Sequence, residues 1–413
     1  MAFLQALASL SNAGSEEYVL FLRPGEEAFL KDFNVEAWHK ASLEPPRSLR
    51  TIVLSLLRDK GILRGFRSFL NKFQRQYASP AEAALFNIDQ IRHQPRFEKW
   101  FARQKVDWIL YTGPNALSFE ARIPYVMPVH DLQHMLQPEF QEVSADGEWE
   151  QREYLFRNGI RNATLILVDS EVGKEDVLRF YGRYGVSADR IRILPFLPAN
   201  YLSVDVPAKS RAEIRNRYGL PKRYLFYPAQ FWPHKNHVRI IEAVALLRNE
   251  SGSEIHVVFC GSNTTDIQKQ TFHEVMKLVQ YLKISGQIHY LGYVPDEDMA
   301  CLYAEATGLV MPTFFGPTNI PVLEAWAFGC PVVTSDIRGI QEQVGDAGLL
   351  VDIRSVEGIA AGMLRVWRDH QLRDELARRG RRRLESYTPE EFQLRLSDIV
   401  RTTSKLIREG RNN

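Results

Sequence analysis

A lysine stands at the tip of a tight turn in Phe226–His237, which reads Phe-Tyr-Pro-Ala-Gln-Phe-Trp-Pro-His-Lys-Asn-His. A β-rich run ends there and a helical pattern starts near Asn236. Such a turn suits a diphosphate: Lys235 supplies a point charge, and the free N–H groups of the helix start supply directed donors. An ordinary strand-to-helix loop with a solvated lysine has the same appearance, so this stretch alone leaves both readings open.

A second stretch, Thr313–Pro331, runs through a Gly-Pro turn into another helical pattern. Thr318 and Asn319 fall where that helix would be capped, with Pro321 in its first turn. The backbone N–H groups of Asn319 and Ile320 are expected to face an anion. Glu324, a turn further in, could grip a ribose diol; a capped helix with an incidental glutamate is the plainer alternative. Between the two stretches lie Phe259-Cys260-Gly261-Ser262 and Gly292-Tyr293-Val294-Pro295, further strand ends on the same rim. Tyr293–Pro295 could flank a base or be plain loop.

A third stretch is Val129-His130-Asp131-Leu132-Gln133-His134. His130, at a strand end, is placed to face a cleft, although a satisfied structural histidine fits as well. The His-Asp-x-x-His spacing also suits a metal, but no matching Cys, His or carboxylate cluster occurs elsewhere, so no metal site is expected.

The elements that must position these residues are β-rich runs alternating with helical patterns. Candidate strands are 18–22, 106–111, 125–129, 164–169 and 190–194, then 224–227, 255–260, 288–291, 308–311, 331–334 and 349–351. Several are continuously apolar, as strands covered on both faces must be. Helices between them imply βαβ units. Two series mean two doubly wound domains, expected at 1–200 and 201–388, with a seam near Pro195–Pro207 and a C-terminal helix, 389–409, packed back on the first. The chain opens on what reads as the first helix of such a domain. Either the first strand is absent, leaving an unpaired edge, or the sequence is truncated.

Length and composition agree with this. At 413 residues, two or three domains are expected. Hydrophobic residues make up 45% and charged residues 25%, which excludes a disordered, collagenous or coiled-coil chain. Lys plus Arg number 52 against 50 Asp plus Glu, which argues against a broadly basic nucleic-acid binder. Three scattered cysteines suit a reducing compartment. No stretch approaches the ~20 apolar residues of a membrane span, and the apolar start lacks a basic leader. Between Arg47 and Arg75, eight basic residues and one acid interleave with apolar ones. That pattern suits contact with an anionic membrane surface, or a helix pair packing its apolar face inward.

The second half resembles the group-1 (family 4) retaining glycosyltransferases of GT-B fold, and the likeness extends over nearly the whole chain, from about Glu16 to Leu406. It rests on the Lys235 loop, on Gly-Pro-Thr-Asn-Ile-Pro-Val-Leu-Glu-Ala, on Gly-Cys-Pro-Val-Val-Thr-Ser-Asp (329–336) and on Val-Gly-Asp-Ala-Gly-Leu-Leu-Val-Asp (344–352). Val168–Glu171 and Arg192–Pro195 match weaker landmarks. The resemblance implies two Rossmann-like domains facing across a cleft. It implies metal-independent transfer of a hexose-type sugar from a nucleoside diphosphate to a glycan or lipid-linked acceptor, with retention and without a cofactor. Lys235 would then hold the diphosphate, Glu324 the ribose, and His130 would reach the transferring sugar. Thr318, Asn319 and Ile320 would meet phosphate and sugar oxygens, Tyr293 and Val294 would lie beside the base, and Gly261 would line the donor rim. The family's earlier glutamate is replaced here by Gly316, and a family arginine by Gln230. Thr318, Asn319 and Gln230 could substitute through neutral hydrogen bonds. A silent nucleotide-sugar-binding module, a sugar-nucleotide epimerase and a metal hydrolase on His130, Asp131 and His134 are the rival functions. A cytoplasmic location, with peripheral contact at the inner membrane face, is the matching expectation.

Overall fold

Short runs of Val, Ile, Leu and Phe pair in parallel, and neighbouring helices cover them from both sides. The computed structural model describes residues 2–11, 17–22, 30, 35, 38–43, 87–199 and 208–412. The basic segment 47–75 lies outside these residues, as does part of the expected seam. No helix among the described residues is long and apolar enough to cross a membrane.

In the first half, β1 (Val19–Leu22) pairs with β2 (His39–Ser42) in a two-stranded sheet. β3 (Ile109–Leu110), β4 (Tyr125–Pro128), β5 (Leu165–Val168) and β6 (Ile191–Ile193) form a separate four-stranded sheet in that order. The candidate strand 18–22 therefore pairs outside the four-stranded sheet. β2 escapes a sequence reading because His-Lys-Ala-Ser is polar and mostly exposed. Helix α1 (Ala2–Ser11) opens the described chain. Helices α2 (Gln141–Ser144), α3 (Glu148–Asn162) and α4 (Glu171–Tyr181) follow between the strands.

Alternation within β4 and β5 sends their side chains to two separate cores. Tyr125, Met127, Ile166 and Val168 pack with Phe156 and Ile160 of α3 and Val177 and Tyr181 of α4. Val126, Leu165 and Leu167 point the other way. A strand buried on both faces has no polar side, which is why these runs read as continuously apolar.

The second half builds one six-stranded parallel sheet from β7 (Leu225–Pro228), β8 (Val257–Cys260), β9 (Ile288–Tyr290), β10 (Gly308–Met311), β11 (Val332–Ser335) and β12 (Leu349–Val351). Its order is β12-β11-β10-β7-β8-β9. The order reverses between β7 and β10, so the connections leaving these neighbouring strands diverge to opposite faces and open a crevice at their carboxyl ends. Helix α5 (His237–Ser251) follows β7, and α6 (Ile320–Ala327) follows β10. Next come α7 (Arg338–Val344) and α8 (His370–Leu384). The last helix, α9 (Pro389–Asn412), packs on α1, and its Phe392, Leu396 and Ile399 cover the Val126–Leu165–Leu167 face of the first sheet.

Helix α6, which carries Glu324, is held from behind by α8. Gly380 of α8 lies against the fully buried Trp326, and a Cβ there would collide with the indole. Trp326 also donates to the Ala347 carbonyl at 3.2 Å. Gly380→Ala should therefore destabilise the protein by about 1–3 kcal/mol, the usual effect of overpacking. Urea denaturation measures this, and an unchanged midpoint would show that α8 can back away freely.

Candidate functional site

The two diverging loops at the crevice are stitched to each other. The carbonyl of His234 accepts from the Phe314 N–H at 2.8 Å and the Thr313 hydroxyl at 3.2 Å. The carbonyl of Lys235 accepts from the Tyr227 hydroxyl at 2.7 Å. Asn236 takes a left-handed backbone (φ 59°), and its buried amide donates to the carbonyls of Pro312 and Ile353 at 2.9 and 3.0 Å. The tip of the β7 loop is thus anchored across the ends of β10 and β12. Lys235 sits between these anchors in a single turn of 3-10 helix.

The Lys235 ammonium makes no hydrogen bond or ion pair among the described residues, and burial lowers its pKa to about 8, against the pull of Asp131 and Glu142. His237, packed on Phe231 with ring centroids 4.2 Å apart, is held neutral, at about 3, by burial and by the lysine charge. A cavity of ≈ 360 Å³ opens beside Lys235. Its second-domain wall is Trp232, His234 and Phe315–Asn319; its first-domain wall includes His130, Asp131, Glu142, Arg152, Asp169 and Phe196. An adjoining cavity of ≈ 200 Å³ is more apolar, between Val129–Leu132 and Leu136 on one side and Phe314–Pro317 and Ile337 on the other.

Of the residues singled out in the sequence, His130, Lys235, Thr318 and Asn319 meet around the larger cavity. His130 stands at the end of β4 against Phe196, and burial lowers its pKa. Gln230, Gly261, Tyr293, Val294, Ile320 and Glu324 line neither cavity. Glu324 is 6% exposed; burial raises its pKa, and the Tyr303 hydroxyl donates to it at 2.7 Å. Gln230 binds Ser262, Trp232 and Gln268. Gly261 lets its strand end press against the Ala229 backbone. Tyr293 is exposed, whereas the Val294 side chain is buried in the second-domain core. Ile320, the first residue of α6, is exposed.

Two expectations need correction. The Asn319 N–H does not await an anion, because Gln343 clamps both its N–H (2.9 Å) and its carbonyl (3.0 Å). The Thr318 hydroxyl is already given to Asp169 of the opposite domain. The His-Asp-x-x-His spacing is split by the fold: His134 is fully buried with its Nε2 3.2 Å from Glu153, away from both cavities. Among the described residues, no three His, Cys, Asp or Glu side chains converge to hold a metal ion.

Gly316 has its own steric reason. Its φ is +146°, and a Cβ there would stand 2.8 Å from both polar atoms of the Asn319 amide. The amide fills the room a larger side chain at 316 would need. Glu142 has no sequence signal of its own, and Asp169 only the weak one of the Val168–Glu171 stretch. Glu142 lies 92 positions from His234, yet its carboxylate accepts from His234 Nδ1 at 2.7 Å. Asp169 is 5% exposed, and burial raises its pKa to about 6.

Residues 210–383 match the family model described as glycosyl transferases group 1. An O-antigen chain mannosyltransferase B of Escherichia coli is 30% identical over 290 residues, 69% of this chain and 72% of that protein. A D-inositol 3-phosphate glycosyltransferase of Corynebacterium glutamicum is 24% identical over 260 residues, 61% of this chain and 60% of that one. Among solved structures, HepE of Anabaena, in complex with UDP and glucose, superposes with a TM-score of 0.66 at 15% identity, covering 97% of this chain and 94% of that one. WaaG, a glycosyltransferase involved in lipopolysaccharide biosynthesis, gives 0.62 at 14% identity, covering 96% and 94%. At such identities the two structures show the fold, and it is the expected GT-B arrangement.

The Lys235 charge makes anion affinity pH-dependent. The protonated form binds an anion, so affinity for inorganic pyrophosphate should fall as pH rises through about 8, approaching about tenfold per pH unit. Lys235→Arg keeps its charge and should flatten that limb. Calorimetric titration between about pH 7 and 10 reads both; a wild-type affinity that stays level would detach Lys235 from anion binding.

Proposed function

Because the chain belongs to the glycosyl transferases of group 1, we propose that it moves a hexosyl group from a nucleoside diphosphate to a glycan or lipid-linked acceptor, metal-independently and with retention of configuration. The observation that carries this reading is Lys235: a partly buried ammonium without a partner among the described residues, at the switch point of a doubly wound sheet, opposite His130. The E. coli relative is named a mannosyltransferase, so mannose is the first sugar to test.

In the proposed reaction the bond between the anomeric carbon and the diphosphate oxygen breaks, and its electron pair leaves with the diphosphate. Lys235 and the N-terminus of α6 stabilise that growing charge. The acceptor oxygen bonds to the anomeric carbon on the face of departure, and its proton passes to the leaving diphosphate. His130, neutral because of burial, orients the sugar from the first domain. By resemblance, Glu324 holds the ribose and the β8–β9 rim, with Gly261 and Tyr293, flanks the base. The cavity wall from Phe314 to Pro317 and the facing Val129–Leu132 exclude water that would otherwise hydrolyse the donor. A lipid-linked acceptor would bring the enzyme to a membrane face, where the basic segment 47–75 would meet anionic headgroups.

A thermal-shift panel of GDP-mannose, UDP-glucose, UDP-galactose and UDP-N-acetylglucosamine, followed by turnover with the stabilising donor, tests this. Donor at 100 times its Kd should stabilise by about 2.7 kcal/mol. Stabilisation without transfer to any acceptor would favour a silent module, and sugar isomerisation without acceptor would favour an epimerase. Lys235→Ala should lower kcat/KM by about 10²-fold or more. His130→Ala should leave the Kd for free nucleoside diphosphate unchanged while slowing transfer; loss of nucleotide binding instead would mean that His130 is misassigned.

A further inference from the structure

Several buried polar atoms without a hydrogen-bond partner belong to residues of the larger cavity, among them Glu142 Oε2 and Asn319 Nδ2. Buried polar atoms are normally paired, and unpaired ones around a cavity mark where a ligand completes the set. Glu142 is the informative member because a carboxylate oxygen has no amide-flip ambiguity. Both hydrogen bonds that it receives from His234, from Nδ1 at 2.7 Å and from the backbone N–H at 3.3 Å, go to Oε1. Burial favours the protonated acid, but hydrogen bonding from His234 and from the residue's own backbone, with the His234 charge, outweighs it and holds the carboxyl below its ordinary range. Oε2 is therefore a fixed, ionised acceptor with nothing to accept.

Resting on the transferase reading above, we propose that Glu142 Oε2 accepts a hydroxyl of the transferring hexose, and that the Asn319 amide donates to a second oxygen of the same sugar. An anionic diphosphate would be repelled by this carboxylate, whereas a neutral hydroxyl supplies the missing donor. His234 places Glu142 one residue from Lys235, and the group bonded to a diphosphate held there is the sugar. Glu142 comes from the first domain and Asn319 from the second, so the sugar is read by both walls of the cleft. The Asn319 amide occupies the space beside Gly316, which supplies no side chain of its own.

Glu142→Gln tests this sharply. Its amide oxygen still accepts from His234, preserving the bond between the domains, while Oε2 becomes an NH2 group that cannot accept. Kd is measured by calorimetry, on the full chain, for the panel's sugar nucleotide and for the matching free diphosphate, GDP or UDP. At about pH 6.5, where Lys235 stays protonated without the Glu142 charge, the variant should bind free diphosphate no more weakly than wild type and the sugar nucleotide about tenfold or more weakly. A deoxy-sugar nucleotide lacking the contacted hydroxyl should lose affinity for wild type but no further affinity for the variant. Equal weakening of both ligands, or of neither, overturns the assignment while leaving the transferase reading intact. If wild type binds no nucleotide at all, the transferase reading fails and this one with it. Should Glu142→Gln not fold, the deoxy series on wild type decides: every analogue binding like its parent would overturn the proposal.

Discussion

Lys235 carries a positive charge into a place where burial works against it. A chain pays for such a group only when the surroundings hold it there. The Lys235 backbone is fixed by Tyr227 at its carbonyl and by its neighbour Asn236, which spans to the ends of two other strands. The nearby histidine is kept neutral, so it adds no second positive charge. What remains is a preorganised donor whose desolvation is offset when an anion arrives. The strand reversal between β7 and β10 provides the opening that such an anion needs.

The second domain alone would leave that charge facing water. The cavity exists because the two rims are joined by polar contacts. Glu142 meets His234, Gln137 donates to the Phe314 carbonyl at 2.8 Å, and Thr318 donates to Asp169. Further out, Glu342 of α7 accepts from the N–H groups of Glu171 and Val172 at 2.9 Å each, capping α4 across the domain boundary. Arg338 beside it reaches Asp176 at 3.0 Å. A carboxylate at a helix start is favourable through the free N–H groups and the helix dipole. The same contact fills the α4 start, which would otherwise attract an anion. These directional bonds, with the Phe140–Phe314 ring pair at 5.5 Å between centroids, join the rims, and an interface between domains is commonly more polar than a domain core.

Strand positions were legible because burial on both faces demands apolar residues at successive positions. All eleven candidate runs contain strands. The exception, β2, pairs through its backbone alone and exposes His39, Lys40 and Ser42, so no apolar pattern marks it. Site residues on loops after strands were legible for a similar reason. A lysine or histidine at a strand's carboxyl end must lie on the rim whatever the strand order, and His130 and Lys235 do.

Residue types and spacing by themselves determined the parallel α/β class, the two series of strands and the two loops that carry the charge and the Gly-Pro turn. Tertiary structure alone decided which groups are free to bind. Asn319 N–H looked available until Gln343 came to it from 24 positions away, and the Thr318 hydroxyl until Asp169 came from 149. Glu142 has no local mark at all, since it becomes part of the site only when one domain closes over the other. Periodicity reports whether a residue is buried, because burial repeats along an element. Whether a polar atom has a partner depends on contacts between distant segments, and nothing in the local pattern records those.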